Sequence, residues 1–468
     1  MKELKPEFVK MVENMSLLPG GEAVNGLAEA LATTVPSVAI RLNARKSAAP
    51  EKVGDADRVA WCDMGLYLNS DERPRFTFDP AMHQGAYYVQ DPSSMAIGLI
   101  VRRLCEDSEG PKVYVDACAA PGGKTTAAID SLPDGSLVIA NEYDRRRAEA
   151  LCENIVKWGY PGVVVTCGDT SRLRRLGALA DIVAVDAPCS GEGMMRKDDT
   201  AVSQWSDGLV KSCAALQREI LGNAWEVLKP GGYLIYSTCT FNRTENEKNV
   251  AYLTEQLGAE PVATGLEEFG DVAGAIDSPY PASRFLPGRV RGEGLFVAVV
   301  RKPADAEAHL PIKPLKIKPL KDKAMEQWIK PGYVLTELKS GTVTALPESC
   351  GGLMAAVAKE LSALYAGCET ATAKGRDYVP AQALALSEIM EPEAFTRCET
   401  DYATAIAYLR GEAVVLREGK PRGIVLLTYG GRPLGFAKNL GNRANNLYPK
   451  GWVIRSGYAP ESAPKIVY

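Results

Sequence analysis

Histidine is almost missing from this sequence. His83 and His309 are the two present in 468 residues, and no two cysteines stand three positions apart. The usual zinc ligand sets therefore have no counterpart, and no metal is expected. No apolar run approaches the roughly 20 residues that span a bilayer, so no membrane partner is expected either. The first residues, MKELKPEFVKMVENM, mix acids with lysines and lack the apolar centre of an export signal. The 11 cysteines are odd in number and irregular in spacing. Both features argue against a disulfide framework and for a cytoplasmic chain with reduced thiols. Internal repeats and long low-complexity tracts are also missing.

Acidic residues are absent from residues 420–460, which hold seven Lys or Arg, although the whole chain carries a net charge of −4. Such a run offers either a local polyanion-binding face or a merely solvated one. Within it Arg422, Arg432, Lys438, Arg443, Lys450 and Arg455 alternate with Tyr429, Phe436 and Trp452. Aromatics in a small β domain pack into its core by default. The rest of the composition, 46% hydrophobic and 24% charged, is that of a soluble globular protein. The length exceeds what one hydrophobic core organises, so about two to four domains are expected.

Four segments follow from the patterning. Residues 1–78 form a small α+β domain, with FVKMVENM and VNGLAEALA at helical spacing and VAIRLNA alternating as a strand. Residues 79–302 alternate short Val- and Ile-rich strands with helical stretches. KVYVDACAA, SLVIANE, GVVVTCGD, DIVAVDAP and GYLIYSTC are those strands. That order predicts an α/β fold, a Rossmann-like parallel sheet covered by helices, with ligands at the carboxyl ends of its strands. Residues 303–394 read as an extended Pro–Lys connector, HLPIKPLKIKPLKDK, followed by a helical middle region containing GGLMAAVAKELSALYAG. Residues 395–468 turn to strands and glycine turns, through EAVVLRE, GIVLLTYGG, RPLGFAKNL and GWVIRSG.

The chemistry gathers at the strand ends. In YVDACAAPGGKTTAAI a strand passes into a helix through Cys118, Ala119, Ala120, Pro121, Gly122, Gly123 and Lys124. Small residues and two glycines let a backbone approach a ligand closely, or simply make a tight turn. The spacing is that of neither a dinucleotide loop nor a phosphate-wrapping loop. Glu142 ends the second strand, where a carboxylate can accept both hydroxyls of a ribose. Asp169 ends the third and can accept from an adenine amine. Both can equally serve as helix caps. With Asp186 at the fourth strand end, these acids describe a nucleoside pocket with little provision for a pyrophosphate, which favours S-adenosylmethionine over NAD or ATP. Cys189 follows the fourth strand and Cys239 ends the fifth. Two cysteines on one rim beside an aspartate point to chemistry, although buried structural cysteine is common.

YYVQDPSSM, DACAAPGGKT, the Asn-Glu at 141–142, VDAPCSGEG and YSTCTFNRTENE together resemble, in order, the RNA 5-methylcytosine methyltransferases of the NOL1/NOP2/Sun family. The form APCSGEGMMRK and the ending NLYPKGW are similar to that family's bacterial RsmF-like subgroup, which acts on 16S ribosomal RNA. The resemblance implies a class I S-adenosylmethionine-dependent methyltransferase core, an N-terminal RNA-binding domain and a C-terminal PUA-like RNA-binding domain. It further implies a monomer working on 16S rRNA or the 30S subunit. By the same resemblance, Cys118 to Lys124, Glu142, Asp169 and Asp186 match cofactor contacts. Cys239 matches the nucleophile that adds to C6 of cytosine, and Cys189 the second cysteine that helps release the product. Asp186, sharing a proton, would hold the N3 and amine edge of the base, and Lys124 or a backbone amide would favour the Cys239 thiolate.

Reaching a stacked base requires flipping it, so Tyr87, Tyr88 and Phe241 are expected either to line a channel or to belong to the core. Arg145, Arg146, Arg147 and the RLRR at 172–175 would contact phosphates or form an ordinary surface. Gly288 stands where the subgroup often has histidine. Competing readings are a tRNA cytosine-5 methyltransferase, a non-catalytic ribosome-assembly factor with a vestigial pocket, and a small-molecule or protein methyltransferase.

Overall fold

The computed structural model describes residues 2–47, 58–68, 73–106, 109–375, 377–416, 419–464 and 466. Its centre is a nine-stranded sheet. Val113–Asp116 lies in the middle, with Leu137–Glu142 and then Val163–Cys167 on one side. Ala180–Asp186 and then Leu228–Thr238 lie on the other. These five strands run parallel. Leu295–Arg301 joins Leu228–Thr238 antiparallel. Alternate residues enter opposite cores. Tyr114, Val138, Ala140 and Ile182 pack on one face, while Val115, Leu137, Ile139 and Val183 pack on the other. A sheet buried on both faces explains why its strands read as continuous apolar runs.

The N-terminal sheet has the order Arg58–Val59, Cys62–Tyr67, Ala39–Leu42, Tyr87–Val89. It therefore runs past the boundary at residue 78 that the sequence indicates. The reason is a long-range pairing, Ile40 opposite Val89, across intervening prolines and glycines that read as a domain break. Arg41 ties this sheet to the central domain. It donates to Gln90 Oε1 (2.8 Å) and Thr126 Oγ1 (2.6 Å), pairs with Asp130, and stacks 4.5 Å over the Trp158 ring.

The helical reading of the middle region needs correction. Residues 323–394 contain a four-stranded antiparallel sheet, Tyr333–Lys339, Thr342–Pro347, Cys368–Lys374 and Asp377–Pro380. Its first hairpin turns at Ser340–Gly341, with Gly341 at φ +75°. Only Gly351–Glu360 of the long apolar run is helical, and the Tyr365–Ala366 that follows pairs with Val163–Cys167. The run changes state there because an open edge of the Val-rich sheet is available to cover. The connector at 309–323 lies extended across the central domain, as its prolines require. Ala178 N donates to His309 O, and Ile312 N to Leu176 O, both at 3.0 Å.

The C-terminal sheet comprises Arg397–Glu399, Gly423–Tyr429, Arg432–Asn439 and Ala444–Asn446. EAVVLRE supplies only an isolated bridge at Val414, and Arg417 and Glu418 lie outside the described residues. GWVIRSG forms no strand. Its buried Ile454 packs into the domain core with the backbone bonded to Leu409 O instead of to a neighbouring strand. This domain docks on the N-terminal one. Gln84 Nε2 donates to Tyr429 O and Arg432 O, each at 2.9 Å, and Tyr402 donates to Phe78 O. No helix among the described residues is long and apolar enough to cross a membrane.

Beneath the later loops Arg284 and Glu247 form a buried bidentate pair, 0% and 3% exposed at the side chain. Arg284 also donates to Phe241 O at 2.8 Å. Removing one partner strands the other charge, so Arg284→Met is expected to lose roughly 3–5 kcal/mol in urea unfolding. The double variant Arg284→Met, Glu247→Leu should recover most of it. A single-variant loss below about 1 kcal/mol would show that water reaches the pair.

Candidate active site

The turn after the first strand is held from outside. Arg147 donates to Ala120 O (2.9 Å), Asn154 to Pro121 O (2.9 Å), and Tyr88 to Pro121 O (3.2 Å). Gly122 sits at φ +109°, a conformation L side chains rarely adopt, and a Cβ there would also crowd Leu151 Cδ1 at 3.1 Å. Helix Gly123–Ile129 starts next, and Thr125 donates to Asp116 Oδ2 at 2.7 Å. The other oxygen, Asp116 Oδ1, is buried with no hydrogen-bond partner among the described residues. Burial, reinforced by the nearby Asp186 charge, pushes the Asp116 carboxyl up to about 7. Cys118 is raised well above an ordinary thiol by burial and by Asp116, Asp186 and Glu142. It stays protonated.

The two acids of the second and third strands differ. Glu142 is 3% exposed and accepts from Asp144 N at 3.0 Å, while Asp144 itself caps helix Arg145–Trp158. Asp169 is exposed and does cap, accepting from Ser171 N at 2.8 Å. The Ser171 bonds hold its carboxyl below the usual range. The capping alternative thus describes Asp169 and not Glu142. An orphaned buried oxygen and acids at successive strand ends around a glycine turn fit the donor-rich nucleoside of S-adenosylmethionine.

On the adjacent strands Asp186 and Ser237 are register partners. Ser237 Oγ donates to Asp186 Oδ1 (2.9 Å), and Lys124 Nζ pairs with Asp186 Oδ2 (2.8 Å). Burial pulls the Lys124 ammonium down, but Asp186 and the nearby Cys239 outweigh it, leaving Lys124 above its ordinary value. The loops that follow bring Cys189 Sγ and Cys239 Sγ to 3.2 Å. The Cys239 bond, burial and Glu245 raise the Cys189 thiol well above its usual range.

Other sequence-derived candidates fall elsewhere. Tyr87 is 2% exposed and donates to Asp79 at 2.7 Å, and Phe241 is buried in a cluster with Phe8 and Trp205. Both belong to the core, and Tyr88 braces the glycine turn. Arg145 pairs with Glu149, and Arg172 donates to Cys167 O and Leu361 O. Arg175 lies 4.0 Å from Glu360, whereas Arg146 and Arg174 are exposed. Gly288, at φ +92°, abuts Ala30, where a Cβ would stand 3.1 Å from the alanine methyl. Phe436 is core, packed 4.7 Å from Phe395. The residues that sequence reasoning missed are Glu192 and Glu245, both 0% exposed and bonded around the cysteine loops. Their only signal was an acid inside the glycine-flanked and Asn-rich motifs.

Asp116 generates a pH dependence. Between about pH 4 and 7 the folded carboxyl holds a proton that the unfolded chain has released, so stability falls as pH rises through that window. Relative to Asp116→Asn, the wild type should lose up to roughly 4 kcal/mol of unfolding free energy from pH 4 to 8. Urea titrations of both proteins at several pH values check this. A difference that stays constant with pH would contradict it.

Three family models match the chain. "16S rRNA methyltransferase RsmB/F" covers residues 105–301, "N-terminal domain of 16S rRNA methyltransferase RsmF" covers 4–92, and "Methyltransferase RsmF PUA domain" covers 395–454. The ribosomal RNA small subunit methyltransferase F of Shewanella amazonensis is 30% identical over 451 residues, covering 91% of this chain and 92% of that protein. Its Citrobacter koseri counterpart is 31% identical over 423 residues, covering 85% of each chain. Among solved structures, a methyltransferase homologue from Pyrococcus horikoshii aligns with a TM-score of 0.52 at 24% identity, over 64% of this chain and all of that one. NSun6 from the same organism aligns at 0.50 and 22%, over 62% and 97%. Those two likenesses support the class I methyltransferase fold of the core. With full-length relatives and three family domains in the same order, the chain belongs to the RsmB/F family of 16S rRNA methyltransferases, within the NOL1/NOP2/Sun group.

Proposed function

We propose that this chain methylates C5 of a cytosine in 16S ribosomal RNA, using S-adenosylmethionine and a covalent bond between Cys239 and C6 of the base. The observation that carries the reading is the 3.2 Å approach of Cys189 and Cys239 beside the Lys124–Asp186 pair. The ribosomal substrate is favoured over tRNA because the full-length relatives are named for the small ribosomal subunit. The working partner is then free 16S rRNA or the 30S subunit, met by a monomer in the cytoplasm.

Cytosine C5 is a weak nucleophile, so the residues must first load it with electrons. The Cys239 sulfur, as thiolate, adds to C6 and electron density moves to C5. The Lys124 charge favours negative sulfur nearby, and Asp186, sharing a proton, hydrogen-bonds the N3 and amine edge as charge develops there. When bound, S-adenosylmethionine supplies an electrophilic methyl group on a sulfonium. Glu142, Asp169 and the Cys118–Gly123 turn hold its nucleoside. A water held by the Cys189 thiol then takes the C5 proton, and the C6–S bond breaks with its electrons returning to Cys239. The bond with Cys239 and burial hold Cys189 as a thiol, which suits it to orient that water. Exposed Arg422, Lys438, Arg443 and Lys450 on the C-terminal domain supply phosphate contacts.

The test is a denaturing gel of variants with cofactor and 16S RNA. Cys189→Ala should transfer one methyl and stall as a gel-stable RNA adduct. Cys239→Ala should give neither product nor adduct while keeping near-normal cofactor affinity. Turnover of Cys239→Ala within tenfold of wild type would remove it as nucleophile. An adduct from Cys239→Ala alone would reverse the two roles. Trapping of tRNA but not 16S RNA would move the substrate.

Replacing Arg422, Lys438, Arg443 and Lys450 by Gln should weaken RNA binding and flatten its salt dependence by about 0.7–0.9 in log–log slope per lost contact. Filter binding at several salt concentrations measures the slope. An unchanged slope would make the basic run a solvated face.

A further inference from the structure

The two cysteine loops hold each other through carboxylates that no step above uses. Glu192, three residues after Cys189, reaches the other loop. Its Oε2 accepts from Phe241 N (2.5 Å) and Asn242 N (3.0 Å), within three residues of Cys239. Its Oε1 accepts from Trp205 Nε1 (2.9 Å) and Asn242 Nδ2 (2.8 Å). Glu245, six residues after Cys239, reaches back the other way. Its Oε2 accepts from Ser190 N (3.0 Å), the amide next to Cys189, and from Gln217 Nε2 (2.7 Å). Its Oε1 accepts from Asn242 Nδ2 (2.8 Å), so one amide group links both carboxylates. Gly193 N donates to Cys239 O at 2.8 Å, and Gln217 also donates to Pro188 O at 2.9 Å.

Burying two acids side by side is costly unless their lone pairs are filled, and here eight bonds fill them. For stability alone a well-packed apolar pair would serve as well. What carboxylates add is the ability to collect several backbone N–H donors at fixed angles, with charge-assisted bonds. The donors they collect flank the two thiols. We infer that Glu192 and Glu245 are positioning residues that set the separation of the thiols, Glu192 fixing Cys239 for attack and Glu245 fixing Cys189 for release. The division of labour rests on the two-cysteine reading above; the spacing role does not.

Two readouts separate them. The first ignores catalysis. The azo oxidant diamide couples neighbouring thiols: one sulfur adds to the N=N bond, the second displaces it, and the two thiol protons leave on the hydrazine product. Peptide mapping of the Cys189–Cys239 disulfide should show formation at least tenfold slower in Glu192→Gln and in Glu245→Gln than in wild type. The second readout is the gel-stable RNA adduct. Glu192→Gln should lose adduct and product together, whereas Glu245→Gln should form adduct and release it at least tenfold more slowly. A role in general folding would not push the two variants in opposite directions. Gln217→Met removes one donor from Glu245 without unpairing it, together with the bonds to Pro188 O, Tyr236 and Asn249, and should show a release defect milder than that of Glu245→Gln even where a Glu variant fails to fold. Wild-type coupling rates in both Glu variants would overturn the spacing role. Parallel loss of adduct and cofactor affinity in both would reduce them to scaffold. If Cys189→Ala and Cys239→Ala both turned over normally, the two-cysteine chemistry would fall while the diamide rates still judged the clamp.

Discussion

Parallel pairing of Ala180–Asp186 with Leu228–Thr238 places two carboxyl ends side by side, with Asp186 opposite Ser237. Everything at the site follows from that register. Loops leaving adjacent parallel strands on the same rim must share space, and here they share it so closely that two sulfur atoms come within 3.2 Å. A one-residue slip would turn Asp186 to the other face of the sheet and break its bond to Ser237.

Charge inside this rim is arranged in pairs. Lys124 sits on Asp186, Arg284 on Glu247, and Arg41 on Asp130, whereas the buried Arg196 and Lys302 rest on backbone carbonyls. Arg41 and Asp130 come from different domains, which makes the N-terminal sheet part of the support of the cofactor turn. Asp116 is the exception, with one oxygen unpartnered and a proton retained near neutral pH. That carboxyl ends the central strand just before the glycine turn, with Thr125 on its other oxygen. The edge strand Tyr365–Ala366 and the extended connector tie the middle sheet to the same core, so the C-terminal domains are held in place by backbone bonds as well as by side chains.

The rim residues were legible because an α/β chain delivers its strand ends to one side, and the motifs sit at those ends. Cys118 to Lys124, Glu142, Asp169, Asp186, Cys189 and Cys239 all lie there. What was hidden depended on partners distant in sequence. Nothing near Arg172 announces that Leu361 O, 189 residues away, will accept its hydrogen bond. Tyr87 and Phe241 beside catalytic-looking motifs read equally well as channel or core, and only packing assigned them to the core. The middle sheet was masked by an Ala-rich run whose helix is shorter than its composition implies. Glu192 and Glu245 look like surface acids in sequence, because burial of a carboxylate is decided by donors that arrive from the other loop.

The central claim is methylation of cytosine C5 in 16S ribosomal RNA. Bisulfite sequencing of total RNA from a strain lacking this gene, and from the same strain carrying it, tests that most directly. Methylated cytosine resists conversion to uracil, so the account predicts that at least one 16S cytosine is read as cytosine only when the gene is present, with tRNA unchanged. Equal conversion of every 16S cytosine in the two strains would contradict it, as would a gene-dependent cytosine found in tRNA alone.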